Sequence, residues 1–304
     1  MFDYDKSAEF LTKCQVKDSQ IRGTVCPWVL NEGLPPREDL HDTLEAVYVW
    51  SRNEHFDKYR ENIIEALEYV KKRFEWFKRE TEPLKSYDAI YLLLASKNYL
   101  RSENSRELEM MRDYAEQYLT KYILDNPETD KREYSNSCWK AAIFHLSVSD
   151  DSKKRELVGH WLEKGLEFSS PNNEEKHLGM GYQYHHDFVS TFGTKLLVSS
   201  LAKPEIIPSN ISEFYPTDFV YREIDPNSFN SSILTGLCAL RNSRGDRQDD
   251  KLSLTIDKIK AKLEAQVVDG GIRRGDYFPV RESWSTFFLY FAELMCDGKE
   301  ILNK

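Results

Sequence analysis

The chain has 304 residues, 40% apolar and 31% charged, with a net charge of -9. That balance describes a soluble globular protein with a sizeable core, and the acidic total argues against nucleic-acid binding, which needs basic surface to displace phosphate counterions. Five cysteines, Cys14, Cys26, Cys138, Cys238 and Cys296, show no C-x-x-C pairing, so neither a zinc knuckle nor a disulfide framework is expected.

The N-terminal stretch MFDYDKSAEFLTK has no basic flank followed by an apolar run, so no signal peptide is expected and the cytoplasm is the expected compartment. No apolar stretch approaches membrane-spanning length. From Cys14 the chain reads CQVKDSQIRG, and from Ala265 it reads AQVVDGGIRRG. Between these two related phrases, two kinds of segment alternate. His55–Phe77, Arg106–Leu124, Ser152–Phe168 and Asp250–Val267 carry apolar residues at three-four spacing, the pattern of helices wet on one side. Segments opening at Asp39, Ser86, Tyr134, Tyr182, Asn227 and Arg281 start polar or aromatic and then become nearly continuously apolar, as buried helices do. Their starts recur at roughly 45–55 residues, the range of helical-pair repeats. Pro204–Pro226 holds four prolines and reads as loop with at most a helical turn.

This alternation predicts an all-α fold: an α/α toroid of about six helical hairpins, inner ring within outer ring, as a single domain over residues 1–304. An open solenoid shares the period but needs distinct caps at its two ends. Here the ends carry the same phrase, which predicts that Asp18 and Asp269 occupy equivalent turns of neighbouring repeats.

The Gln-x-x-Asp-Gly-Gly phrase before the buried segment RESWSTFFLYFAEL resembles the repeat turn of the terpene cyclase and protein prenyltransferase toroid superfamily. DLHDTLEAVYVW is similar to the Asp-rich segment of its class II cyclases. The resemblance implies an isoprenoid-cyclase-like enzyme acting on an apolar substrate in a central cavity. Two positions depart from the pattern. His41 stands where the cyclases' proton-donating middle Asp would be, and Trp284 where the prenyltransferases place a zinc-binding His. No metal and no cofactor is expected.

In such a fold the polar openings of the inner helices gather at one mouth. Asp39, His41 and Asp42 are the candidates for proton transfer, with His41 as the shuttle and Asp39 or Asp42 orienting it. The same residue types also suit N-caps and first turns of helices. Tyr184 and His185 in YQYHHDF are the second catalytic candidates. They are loosely similar to a Tyr-His segment of toroidal alginate lyases, although Cys138 stands where those enzymes' catalytic His would be. His185 and His186 point about 100° apart on a helix and lack metal-ligand spacing. Trp50, Tyr87, Asp88, Asn136, Trp139, His186, Asp187, Asn230, Glu282 and Trp284 are the candidate substrate contacts. Aromatic residues make up 13% of the chain, enough to line a cavity or simply to fill the core. The expected partner is a small molecule, apolar or sugar-like. Besides the isoprenoid-cyclase-like function there are two alternatives: a carbohydrate-active toroid, lyase or glycoside hydrolase, and a non-catalytic binding module.

Overall fold

The computed structural model describes residues 2–30, 32–79, 86–125, 143–148, 151–163, 193, 196–197, 199–201, 204–207, 209–215, 226–244, 249–275 and 278–302. Among these, helix dominates and the one sheet is a two-stranded antiparallel ribbon, β1 (Ile272–Arg273) with β2 (Arg281–Glu282). The chain divides into two units interleaved in sequence. The first comprises Met1–Lys121, Gln266–Tyr290 and Leu302–Lys304, and the second Tyr122–Ala265 and Phe291–Ile301.

The first unit opens with α1 (Tyr4–Cys14), capped by Asp3, whose carboxylate accepts from the Lys6 N–H. The sequence reading did not anticipate this helix. It is followed by α2 (Leu40–Trp50), α3 (Arg60–Arg79), α4 (Ser86–Ser102) and α5 (Arg106–Asp125). Every residue of α2 from Asp42 to Trp50 is buried, as its continuous apolar run requires. On α3 the buried residues are a stripe, Ile63, Ala66, Leu67, Tyr69, Val70 and Phe74, so this helix lies outside α2. It runs antiparallel to α2: Glu38, just before α2, pairs with Tyr69 and Arg73 on the far half of α3.

Three buried helices of this unit run parallel. His41 faces Asp88 near the starts of α2 and α4, and Asn98 donates to the Tyr48 carbonyl near their ends. The first half of α9 (Ser283–Cys296) follows the same direction, with Ser283 bonded to Asp42 and Phe287 packed on Tyr48. Their polar N-termini therefore meet.

The two related terminal phrases form different turns. Val268 and Gly271 exchange both backbone hydrogen bonds around Asp269 (φ 47°) and Gly270 (φ 81°), a two-residue hairpin with both central residues left-handed. The N-terminal phrase instead forms a longer loop closed by Gly23 N–H to the Val16 carbonyl, with the positive φ at Gly23. Asp18 and Asp269 are thus not equivalent. The C-terminal turn packs on α1: Ser7 Oγ donates to the Gly270 carbonyl at 2.9 Å, and a Cβ on Gly270 would lie 2.0 Å from the Lys6 carbonyl oxygen.

The second unit contains α6 (Ser152–Glu163), 3-10 turns at Pro204–Ile206 and Ile211–Phe214, α7 (Pro226–Arg244), α8 (Asp250–Glu264) and the last part of α9. Asp249 caps α8 through the Leu252 N–H. Gly193 and Gly236 cross so closely that a Cβ on Gly236 would lie 2.1 Å from the Gly193 carbonyl oxygen. The helix α7 is tied to the end of α9 by a Cys238–Cys296 disulfide with a Cα–Cα distance of 4.8 Å, and Asn242 donates to the Met295 carbonyl. This corrects the sequence expectation, because cysteines 58 positions apart carry no spacing signal.

Candidate functional site

The site grows from the first turn of α2. Asp39 is the N-cap, and its carboxylate accepts from the backbone N–H of His41 at 3.0 Å and of Asp42 at 3.3 Å. One turn further along, Glu45 lies under His41, with Nε2 of the imidazole 3.0 Å from Oε1. Asp88, in the first turn of α4, faces the other ring nitrogen at 3.9 Å. Tyr91, one turn on, sets its ring edge-on to His41 with centroids 4.5 Å apart. From the start of α9, Ser283 reaches Asp42 Oδ1 at 3.0 Å.

These carboxyls and the imidazole are removed from water, and their proton affinities follow. Burial pushes Glu45 up to about 7, against the opposing pull of His41. Burial also raises Asp42 well above the usual carboxylate range, and the charges of Asp39 and Glu45 add to it. Burial alone would pull His41 down. The Glu45 carboxylate outweighs it, helped by Asp42 and Asp88, and lifts His41 to about 9. The cluster thus holds a charged imidazolium beside Asp42, which favours its acid form, and Glu45, which near neutral pH is divided between acid and carboxylate. Among the described residues, no group of three or more His, Cys, Asp or Glu side chains is arranged to hold a metal ion.

Beside the cluster lies an aromatic strip. The Arg274 guanidinium sits 4.9 Å from the Phe278 ring centroid and 5.3 Å from that of Trp284, and Trp284 meets Phe288 edge-on at 5.3 Å. Arg274 also pairs with Glu282 at 3.0 Å. Trp284 and Phe278 are half-buried, so each presents some ring surface.

The structure gathers Asp39, His41, Asp42, Asp88, Glu282 and Trp284 around the joined N-termini. Asp39 sits in the capping geometry that its position allowed for. The carboxylate that holds His41 is neither Asp39 nor Asp42 but Glu45, and its signal was the i, i+4 spacing in HDTLE. Tyr91 and Ser283 are the other partners the sequence reading assigned no role. Trp50 is corrected. It lies at the opposite end of α2, fully buried, with its indole N–H donating to the Ala8 carbonyl at 2.9 Å, so it fills core and offers no ring face to a ligand. Asn230 is fully buried on α7 in the second unit. Tyr87 is helical in α4, and its side chain lies outside the described residues, as do Asn136, Trp139, Tyr184, His185, His186 and Asp187 entirely.

No protein-family model matches the sequence, and no curated protein matches it significantly. Solved structures do resemble the fold. The GH76A α-1,6-mannanase of Salegentibacter sp. HEL1_6 superposes with a TM-score of 0.61 at 13% identity, covering 97% of this chain and 98% of its own. An inactive variant of that enzyme, with two consecutive aspartates changed to asparagine, is in complex with α-1,6-mannotriose and gives the same TM-score and identity over 96% of this chain and 98% of its own. A second inactive variant, with the two changed to alanine, is bound to α-1,6-mannotetrose and covers 96% of this chain and 97% of its own. The chain therefore has an α/α-toroid fold, and its likeness is to glycoside hydrolases, not to terpene cyclases or prenyltransferases.

Proposed function

We propose that this toroid is a carbohydrate-active enzyme that cleaves a glycosidic bond by acid/base chemistry at the joined N-termini of α2, α4 and α9. The observation that carries the proposal is the pair of buried carboxyls, Asp42 and Glu45, one turn apart beside the His41 imidazolium and both raised above the usual range. A carboxyl still protonated at neutral pH is what a leaving-group oxygen needs. The half-buried Trp284 and Phe278 rings supply the apolar faces on which a pyranose stacks. The sugar-bound fold neighbours support a carbohydrate substrate over an isoprenoid one.

The neighbour's chemistry is not carried over whole. Its inactive variants have two consecutive aspartates replaced. In this sequence consecutive aspartates occur at 150–151 and 249–250. Asp151 and Asp249 are spent as N-caps, accepting from the Lys154 and Leu252 N–H groups at the starts of α6 and α8. Asp42 and Glu45 are assigned the work instead, and α-1,6-mannan specificity is not implied.

The test is a panel of neutral and uronate oligosaccharides, with products followed by mass. A water added per cleavage identifies a hydrolase, and an unsaturated product a lyase. Turnover by the wild type that is lost in both Asp42→Asn and Glu45→Gln supports the proposal. Thermal stabilisation by a sugar without turnover would make the protein a binding module. Stabilisation by an isoprenoid diphosphate and by no sugar would overturn the carbohydrate assignment.

A further inference from the structure

The hydroxyl of Ser283 has two hydrogen-bonding neighbours and one proton to offer. Its Oγ lies 3.0 Å from Asp42 Oδ1 and 3.1 Å from the carbonyl oxygen of Cys26. A peptide carbonyl and an ionised carboxylate are both acceptors only, and a serine hydroxyl donates once. Ser283, Asp42 and Cys26 are all buried, at 1%, 4% and 0% exposure, so bulk solvent does not make good a missing donor. With Asp42 ionised, one of the two acceptors goes without a proton, which is costly in a buried site. With Asp42 protonated on Oδ1, the chain closes: Asp42 donates to Ser283, and Ser283 donates to Cys26.

We propose that Ser283 is a positioning residue for the Asp42 proton: at rest it accepts that proton from an Asp42 kept in its acid form by its buried surroundings, and once the proton has left it stabilises the carboxylate by turning its one hydroxyl from Cys26 to Asp42. The groups that face Asp42 agree with a protonated resting state. Burial and the carboxyls of Asp39 and Glu45, on the same helix, favour the acid, and the His41 imidazolium opposes them. The Cys14 and Cys26 thiols, on the N-terminal side, are themselves raised by burial and carry no opposing positive charge. A role for this proton in catalysis rests on the glycosidic-cleavage proposal, but the protonation state itself does not.

The test is infrared difference spectroscopy on the full-length chain carrying 13C-carboxyl aspartate. A protonated-carboxyl band at neutral pH should shift with the label and disappear in Asp42→Asn. In Asp42→Glu, which keeps an acid there, the band should no longer respond to the aspartate label. Ser283→Ala should raise the pH at which the band is lost by about one unit, because the charged form loses the stronger hydrogen bond. Ser283→Thr should restore the wild-type titration. A merely structural serine would change the melting temperature and leave the titration of the band alone. Absence of a label-sensitive band at neutral pH, or identical titrations in wild type and Ser283→Ala, would overturn the proposal. If the band behaves as expected but Asp42→Asn keeps full turnover, the functional assignment of Asp42 fails while the role of Ser283 in its protonation stands.

Discussion

His41 stands one helical turn from Glu45, with its Nε2 3.0 Å from the Glu45 Oε1, and both side chains project from the same end of α2 into a site shared with Asp88 and Tyr91. This pairing decides the charge of the imidazole. Burial acts to lower its proton affinity, and the carboxylates reverse the outcome to about 9. Glu45→Gln keeps the shape and removes the principal raising charge. The His41 titration, followed by NMR of the imidazole carbons, should then fall by at least one pH unit, an expectation set by the size of close ion-pair shifts. A titration unchanged from wild type would show that Asp42 and Asp88 suffice, and that Glu45 does not govern His41.

The same pairing sets the pH dependence of folding. His41 is raised from 6.5 to about 9, so its contribution to stability is complete below 6.5 and is lost as pH rises through 9. Glu45, raised from 4.5 to about 7, holds its proton more tightly in the folded state, so it too costs stability as pH rises from 4.5 to 7. Below 6.5, His55 and His145 act oppositely, because burial lowers both, His145 to about 4, and folding there improves as pH rises. Above pH 7 the His41 contribution is unopposed by these groups. Urea unfolding should therefore show stability declining between pH 7 and 9, by about 2–3 kcal/mol. His41→Gln should flatten that decline, and a wild-type profile that is flat or rising over this interval would contradict the ion pairing.

What the sequence made legible divides along physical lines. The inner helices showed because continuous burial leaves a continuous apolar run, as in Asp42–Trp50. The site cluster showed because Asp39, His41 and Asp42 stand together at a helix start. Glu45 is legible only through its i, i+4 spacing from His41, because it stands inside the apolar run and not among the polar residues at the helix start. Trp50 misled because an inner helix has two ends, and a residue nine positions beyond His41 lies about 13 Å along the axis from it. The related terminal phrases suggest an equivalence that their turns do not share: Gly270 permits a tight left-handed pair that Ser19, at the matching position, does not favour. The Cys238–Cys296 bond depends on the packing of α7 against α9, which spacing in the chain does not encode.

Gly270 offers a test of the junction between the chain's two ends. Its φ of 81° disfavours any side chain, and the carbonyl oxygen of Lys6 occupies the place a Cβ would take. The obstruction is backbone of α1, so no rotamer change relieves it. Gly270→Ala should lower stability by about 2–4 kcal/mol, combining left-handed strain with a forced shift of α1. Gly33→Ala is the control: it shares a positive φ of 93° but meets nothing within 4 Å, so it should cost only the strain, about 1–2 kcal/mol. Equal losses of melting temperature in the two variants would mean that α1 does not pack on the C-terminal turn.

Asp39 and Asp42 stand three residues apart and should separate folding from function. Asp39 accepts two backbone N–H bonds at the start of α2, so Asp39→Ala strips the cap and should lower stability by about 0.5–2 kcal/mol, with turnover per folded molecule largely kept. Asp42 makes no cap bond. It is buried, raised in proton affinity and held by Ser283. Asn is close in shape to a neutral Asp and brings no charge into the core, so Asp42→Asn should leave the melting temperature nearly unchanged at neutral pH. It cannot give up or take a proton, so turnover should fall by about 10²–10⁴, the range of a lost general acid or base. Melting temperature and turnover measured on the same two proteins decide the matter. If Asp42→Asn unfolds the protein or retains turnover, Asp42 is structural, and the proton chemistry must lie with Glu45 and His41.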